Sequence, residues 1–276
     1  SEFVHLHNHS DYSLLDGAQR IDQLVNTIDD LNMDAVALTE HGNMFSVLPY
    51  YKQAKKAGIK PIIGCEIYVA VGSRFEKKTR SDGGWGNNHL ILLAQNFTGY
   101  RNLMKLVTAG YLEGFYYRPR IDMDLLREYS EGLICMSACL KGVVPEKMLK
   151  GDYEGAKKEA LLFSEIFQDR YYLEIQNHGI PEEEQNLKNM KKLSQDLNLP
   201  LVCTNDAHYA KKEHWEAHDI HICLGTGKER SDPNRLRYAT PEFYFKTQDE
   251  MHKLFKEFPG AIENTRKIAD SIDITL

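Results

Sequence analysis

Residues 153–204 read YEGAKKEALLFSEIFQDRYYLEIQNHGIPEEEQNLKNMKKLSQDLNLPLVCT. Two long amphipathic stretches, Tyr153–Phe167 and Glu182–Leu197, each lead into a short, mostly apolar run, Tyr171–Ile175 and Leu201–Thr204. That alternation predicts helix, strand, helix, strand. The same rhythm extends toward the N-terminus. Strands are expected at Phe3–His9, Ala35–Thr39, Pro61–Val71, His89–Ala94 and Leu133–Met136, and helices at Ile21–Leu31, Val47–Ala57 and Tyr100–Leu112. Ile21, Leu24, Val25 and Ile28 share a helical face, and Gly58 supplies a helix stop. Seven strand runs, most followed by a helix, predict an α/β fold on a parallel sheet, open or closed into a barrel.

Two segments break the rhythm. Gly72–Asn88 is Gly-rich, carries Arg74, Lys77, Lys78 and Arg80, and reads as a mobile loop. Gly114–Asp122 reads as an aromatic and basic connector. Pro241–Leu276 reads as helices without a further strand, expected to pack outside the core or to lead into a further domain.

Composition narrows the class. The 276 residues are 42% hydrophobic and 27% charged, which excludes disordered, collagen-like and disulfide-scaffold proteins. A net charge of −6 argues against a broad nucleic-acid-coating surface but leaves a local site open. Five cysteines with no C-x-x-C pair argue against a disulfide framework or a zinc ribbon, so a reducing cytoplasm is expected. No apolar run approaches the roughly 18 residues of a membrane span. The opening Ser1-Glu2-Phe3 lacks Met and a signal-peptide pattern, as an excised fragment would.

The strand ends carry the chemistry. His5, His7 and His9 alternate on the first strand and are expected on one face. Strand two runs into Glu40-His41, strand three carries Glu66, and strand seven runs into Asp206-x-His208. In parallel α/β folds, sites assemble at such carboxyl ends. Imidazole mixed with carboxylate suits zinc, manganese or iron. His89 precedes its apolar run instead of following one. Either that strand is antiparallel or its boundary is displaced.

At these residues the chain resembles the PHP (polymerase and histidinol phosphatase) domain. His7-x-His9, Asp16-Gly17, Glu40-His41-Gly42, Glu66, His89, Cys139 and Asp206-x-His208 carry the likeness. VHLHNHSDYSLLDG, GIKPIIGCEIYVA, YLEGFYYRPRID and VCTNDAHY are similar to the branch found in bacterial DNA polymerase III alpha subunits. The resemblance implies a single domain over 1–276: a distorted seven-stranded (β/α) barrel over roughly 3–225, then a helical segment, 241–276, leading toward a polymerase palm. It also implies three divalent metal ions. His7, His9, Glu66 and Asp206 would hold the first, Glu66, His89 and Cys139 the second, and Asp16, His41 and His208 the third. Glu66, Asp206 and His9 would then be catalytic through a metal-activated water.

The expected chemistry is phosphoester hydrolysis by a replicative polymerase domain, as a 3′→5′ proofreading exonuclease on a DNA 3′ end. Two alternatives stay open: a small-molecule phosphomonoesterase, and a structural module that stabilises the polymerase and docks a separate proofreading exonuclease. Arg74, Lys77, Lys78, Arg80, Arg118 and Arg120 are candidate phosphate contacts, and Tyr116 and Tyr117 candidate base stackers. His178 is expected near the substrate or behind the metal ligands. Glu40 is expected to orient ligands. His214, His218 and His221 share a helix face at a spacing that could bind a metal, and are read as a plain helix face instead. His5 reads as a core histidine, and Cys65, Cys135, Cys203 and Cys223 as small buried residues.

Overall fold

The computed structural model describes residues 1–79 and 86–276. Its elements run α1 (Ile21–Asp30), β1 (Ala35–Leu38), α2 (Val47–Lys56), β2 (Lys60–Ala70), β3 (Asn87–Ala94), α3 (Phe97–Leu112), β4 (Arg120–Ile121), α4 (Met123–Glu128) and β5 (Leu133–Met136). Then follow α5 (Val143–Leu149), α6 (Tyr153–Phe167), β6 (Tyr171–Ile175), α7 (Pro181–Leu197), β7 (Leu201–Cys203), α8 (Trp215–Thr226), α9 (Gln248–Phe255) and α10 (Glu263–Ser271). The strands form one curled sheet in the order β1-β2-β3-β5-β6-β7, with β4 beside β2.

The sheet is mixed, not parallel throughout. β1 and β2 pair in parallel, as do β5, β6 and β7, but β3 runs antiparallel to both β2 and β5. This resolves the position of His89. An antiparallel strand presents its first residues where parallel strands present their last, so His89 reaches the same rim.

The expected first strand is not a regular strand. Phe3–His9 is extended and spans the two edges of the sheet through bridges His5 to Val36 and Asn8 to Ala207. The cause is side-chain competition for backbone groups. Asn8 Nδ2 donates to the His5 and Ala37 carbonyls, and Asn8 N–H donates to Thr39 Oγ1. The chain bends at His7, which breaks the alternation. His5 therefore does not share a face with His7 and His9. Its ring lies edge-on between Phe3 and Phe245, with centroids 4.7 and 4.9 Å away, and its Nε2 meets the Lys246 carbonyl.

Two apolar layers hold the fold together. Inside the curl, alternate strand residues such as Ala37, Ile62, Ile91, Leu93, Met136 and Val202 meet Val4 and Leu6. Outside it, helices bury Leu24, Ile28, Leu106, Phe163, Phe167 and Met190 against the opposite strand faces. The C-terminal segment corrects a second expectation. It does not stay outside the core, because Ile268 and Ala269 of α10, and Ile272 just after it, enter the inner layer. The connector corrects a third, since it contains β4, paired in parallel with Tyr68 and Val69.

Candidate metal centre

The polar rim is built by the ends of the strands. The N-terminal segment delivers His7 and His9, the turn after it Asp16, and the chain beyond β1 His41. β2 delivers Glu66, the start of β3 His89, the turn after β5 Cys139, and the turn after β7 Asp206 and His208. Two of these turns pass through the left-handed region at non-glycine residues, Ala138 at φ 64° and Asp206 at φ 47°. Such backbone is uncommon and clusters at functional sites.

Three groups of donor atoms result, each with all its atoms within 4.8 Å of one another: His7, His9, Glu66 and Asp206; Glu66, His89 and Cys139; and His9, His41 and His208. Glu66 is the hub. Its Oε2 lies 3.1 Å from His7 Nε2, 3.0 Å from His9 Nε2 and 3.1 Å from His41 Nδ1, while Oε1 turns to His89. Asp206 Oδ1 lies 3.2 and 3.1 Å from the Nε2 atoms of His7 and His9. Asp16 stands beside the third group, 3.3 Å from His41 Nε2 and 3.8 Å from His208 Nε2, and His9 takes its place within the group.

Most of these close approaches are not well-formed hydrogen bonds. His9 Nε2, Asp16 Oδ1, both His41 nitrogens, Glu66 Oε1 and Asp206 Oδ1 are buried without a hydrogen-bond partner among the described residues. An unsatisfied buried polar atom costs about 1–3 kcal/mol. Its concentration in one place, on mixed imidazole, carboxylate and thiol donors, fits divalent cations.

The electrostatics agree. Burial pushes the Glu66 carboxyl up, but the His89 and His41 imidazoles outweigh it and hold its pKa well below the usual range. Asp206 is likewise depressed by His7 and His208, and Asp16 by His41 and His208, both against burial. Burial also opposes protonation of His7 and His41, yet the neighbouring carboxylates hold both well above the ordinary imidazole value. Burial keeps His208 down at about 3 and pushes the Cys139 thiol up. The carboxylates thus favour a positive charge at His7 and His41, and a bound cation would supply that charge in place of their protons.

Outside the donors lies a supporting layer. Glu174 of β6 accepts from His7 Nδ1 at 2.7 Å and from the Ala138 N–H at 3.0 Å. That contact fixes the His7 tautomer and aims Nε2 at the rim. The sequence reading missed Glu174, although a carboxylate inside a fully buried strand was the signal. Tyr238 was also missed. Its hydroxyl lies 2.9 Å from His208 Nε2 and 3.2 Å from Asp16 Oδ2. Glu40 touches no donor imidazole. It accepts from the Ser10 and Ser13 hydroxyls, and Ser13 Oγ lies 3.3 Å from His9 Nδ1. Of the helix trio, His218 reaches the Asp16 carbonyl at 2.7 Å. His214 and His221 join no donor group among the described residues.

Several expected substrate contacts are engaged elsewhere. His178 is buried with Nδ1 on Glu183 at 2.6 Å and Nε2 on the Asn205 carbonyl at 2.8 Å, so it props the residue before Asp206 and offers no open nitrogen. Arg74 is tied to Asp122 at 3.0 Å and Glu113 at 2.6 Å. Arg120 is buried and donates to the carbonyls of Gly114, Arg74 and Glu76. Tyr116 packs against that guanidinium, 5.2 Å from its centre. Lys77 and Lys78 are exposed, and Arg118 lines the cleft over the rim. Arg80 lies outside the described residues.

Glu174→Gln keeps the side chain's shape but removes its charge behind His7. The expected result is a 10–100-fold loss of divalent-cation affinity with the fold retained, read by calorimetric titration. Unchanged affinity would detach Glu174 from the site.

A family model described as the PHP domain matches residues 5–178. The chain is 52% identical over 273 residues to the DNA polymerase III subunit alpha of Borreliella burgdorferi, a match covering 99% of the chain and 24% of that protein. It is 47% identical to the DNA polymerase III subunit alpha of Treponema pallidum, with 99% and 23% covered, and 41% identical to that of Thermus aquaticus, with 100% and 23% covered. The chain spans about a quarter of the length of these curated relatives.

Proposed function

Because the chain belongs to the PHP domain family, we propose that it is the metal-dependent phosphoesterase portion of a bacterial replicative DNA polymerase subunit, and that it removes nucleotides from DNA 3′ ends as a proofreading exonuclease. The observation that carries the reading is the convergence on one rim of buried donor atoms that lack a hydrogen-bond partner. Three divalent cations, of the zinc, manganese or iron kind, would be held by His7, His9, Glu66 and Asp206, by Glu66, His89 and Cys139, and by Asp16, His41 and His208. Bound there, such cations polarise a phosphoryl oxygen and supply hydroxide near neutral pH.

The protein's own residues set the geometry. Glu66 offers its two oxygens to different donor groups and so links two positions. His9 contacts both Glu66 and Asp206, so the three converge on one position. Glu40, through Ser10 and Ser13, and Glu174 hold the imidazoles from behind. Arg118, at the cleft above, meets phosphate charge. The partners are the DNA 3′ end, the remaining domains of the polymerase subunit and a separate exonuclease subunit. Among the described residues no helix is long and apolar enough to cross a membrane.

The test is cleavage of a 5′-labelled primer by protein loaded with Mn²⁺, Zn²⁺ or Fe²⁺. The expected result is stepwise loss of nucleotides from the 3′ end, abolished by EDTA. No cleavage with any of the three overturns the reading. Loss of thermal stability on chelation without any hydrolysis would instead support the structural module. Cleavage of p-nitrophenyl phosphate alone would support the monoesterase.

A further inference from the structure

A cleft of about 840 Å³ opens over Asp16, His41 and His89. One side of it is aromatic and faces solvent. Phe45 is 65% exposed, Tyr111 40%, Phe115 48% and Tyr117 55%. Phe45 and Tyr111 have centroids 6.3 Å apart, and Tyr111 and Phe115 also 6.3 Å, with planes within 23°. The rings come from two distant segments, the approach to α2 and the end of α3 with its connector; Phe45, Tyr111 and Phe115 adjoin one another, and Tyr117 lines the same cleft. Tyr117 stands at φ 58°, a left-handed conformation that a tyrosine rarely adopts. The same connector turns Tyr116 inward against Arg120 and leaves Phe115 and Tyr117 outward.

Contiguous exposed rings at a cleft mouth mark a binding surface. Their occupant follows from position. They line the same cleft as the donor residues, so a protein seated permanently on them would cover Asp16, His41 and His89. A cleft of this volume is in the upper part of the range for small-molecule sites and exceeds what a small phosphate monoester fills. Next to the rings, Arg118 places a guanidinium 5.9 Å from the Tyr68 ring centroid, on the same cleft. Successive π-faces beside a cation and a phosphate-handling rim are the features that hold a single-stranded nucleic acid, because every base can stack.

We propose that Phe45, Tyr111, Phe115 and Tyr117 form a base-stacking platform for the last nucleotides of a single strand, with Arg118 on a backbone phosphate. The substrate class is then unpaired, sequence-tolerant polynucleotide. The proposal deepens the phosphodiesterase reading above and rests on it for the direction of the strand. Tyr116, a stacker by sequence, leaves that set, and Phe45, Tyr111 and Phe115 enter it.

The test is fluorescence anisotropy with a labelled oligo-dT in EDTA, so that binding is read without hydrolysis. Phe45→Ala and Phe115→Ala are each expected to weaken binding about 10-fold, and Phe115→Leu to do the same while keeping an apolar side chain. Phe97→Ala, at an exposed ring away from the cleft, is expected to change nothing. Melting temperatures should match throughout. Equal affinity of the ring variants and the parent chain would overturn the platform. So would an equal loss on base-paired duplex. If oligo-dT binding falls as expected but the metal-loaded protein cleaves nothing, the platform stands and the exonuclease reading fails. If primers are cleaved and binding ignores the rings, the reverse holds.

Discussion

Glu66→Gln is expected to lower hydrolysis by more than about 10³-fold and to strip cations from the protein, while the chain still folds. Losing an outer partner of a metal ligand typically costs 10–100-fold, and Glu66 is not an outer partner. Its two oxygens face His7, His9 and His41 on one side and His89 on the other. The amide keeps the volume but removes the negative charge from among four imidazoles, and it turns an NH₂ toward one set of them. Metal content by elemental analysis and primer cleavage should fall together. Cleavage within tenfold of the parent would remove Glu66 from the centre.

Arg120→Ala is expected to destabilise the fold by about 3–5 kcal/mol, although sequence reading placed this residue on a phosphate. The guanidinium is 1% exposed and donates to three backbone carbonyls, at 3.0 Å to Gly114, 3.2 Å to Arg74 and 3.0 Å to Glu76. Hydrogen bonds from a charged donor contribute about 1.5–3 kcal/mol each, and truncation leaves buried acceptors unmet. Arg118→Ala, two residues earlier and on the cleft, should stay within about 0.5 kcal/mol in stability but weaken oligonucleotide binding. Urea unfolding of both variants decides. Equal stability would return Arg120 to the candidate phosphate contacts.

That pair shows where sequence reading stopped. Helical and apolar periodicity located α6, β6, α7 and β7 to within a residue or two, because each element buries one face and the pattern records it. The donor residues were legible because they sit at strand ends and few other roles need so many imidazoles there. Direction was not legible. β3 looks the same in composition whichever way it runs, so the placement of His89 needed the register of β2 and β5. Nor was burial of charge. Arg118 and Arg120 lie a full period of strand alternation apart, so the pattern would give them the same face, and only Arg120 falls within β4. Glu174 and Tyr238 act through residues far away in sequence, His7 and Asp16, and no local pattern announces such a contact. The N-terminal segment is not a regular strand because the Asn8 amide donates to the Ala37 carbonyl, an acceptor that a continuous ladder would use.

Helices α9 and α10 hold the N-terminal segment and the approach to β1. Val4 N–H donates to Thr265 Oγ1 at 3.0 Å, Phe3 N–H to Gln248 Oε1 at 3.0 Å, and Arg266 pairs with Asp34 at 2.9 Å. On a ribosome the N-terminus emerges first. Phe3 and Val4 therefore lack these partners until more than 240 further residues have been added. Closure over so long a sequence separation is slow. The inner apolar layer that Val4 and Leu6 share with α10 is then completed only when that helix has been made, after every donor residue of the rim is already in the chain.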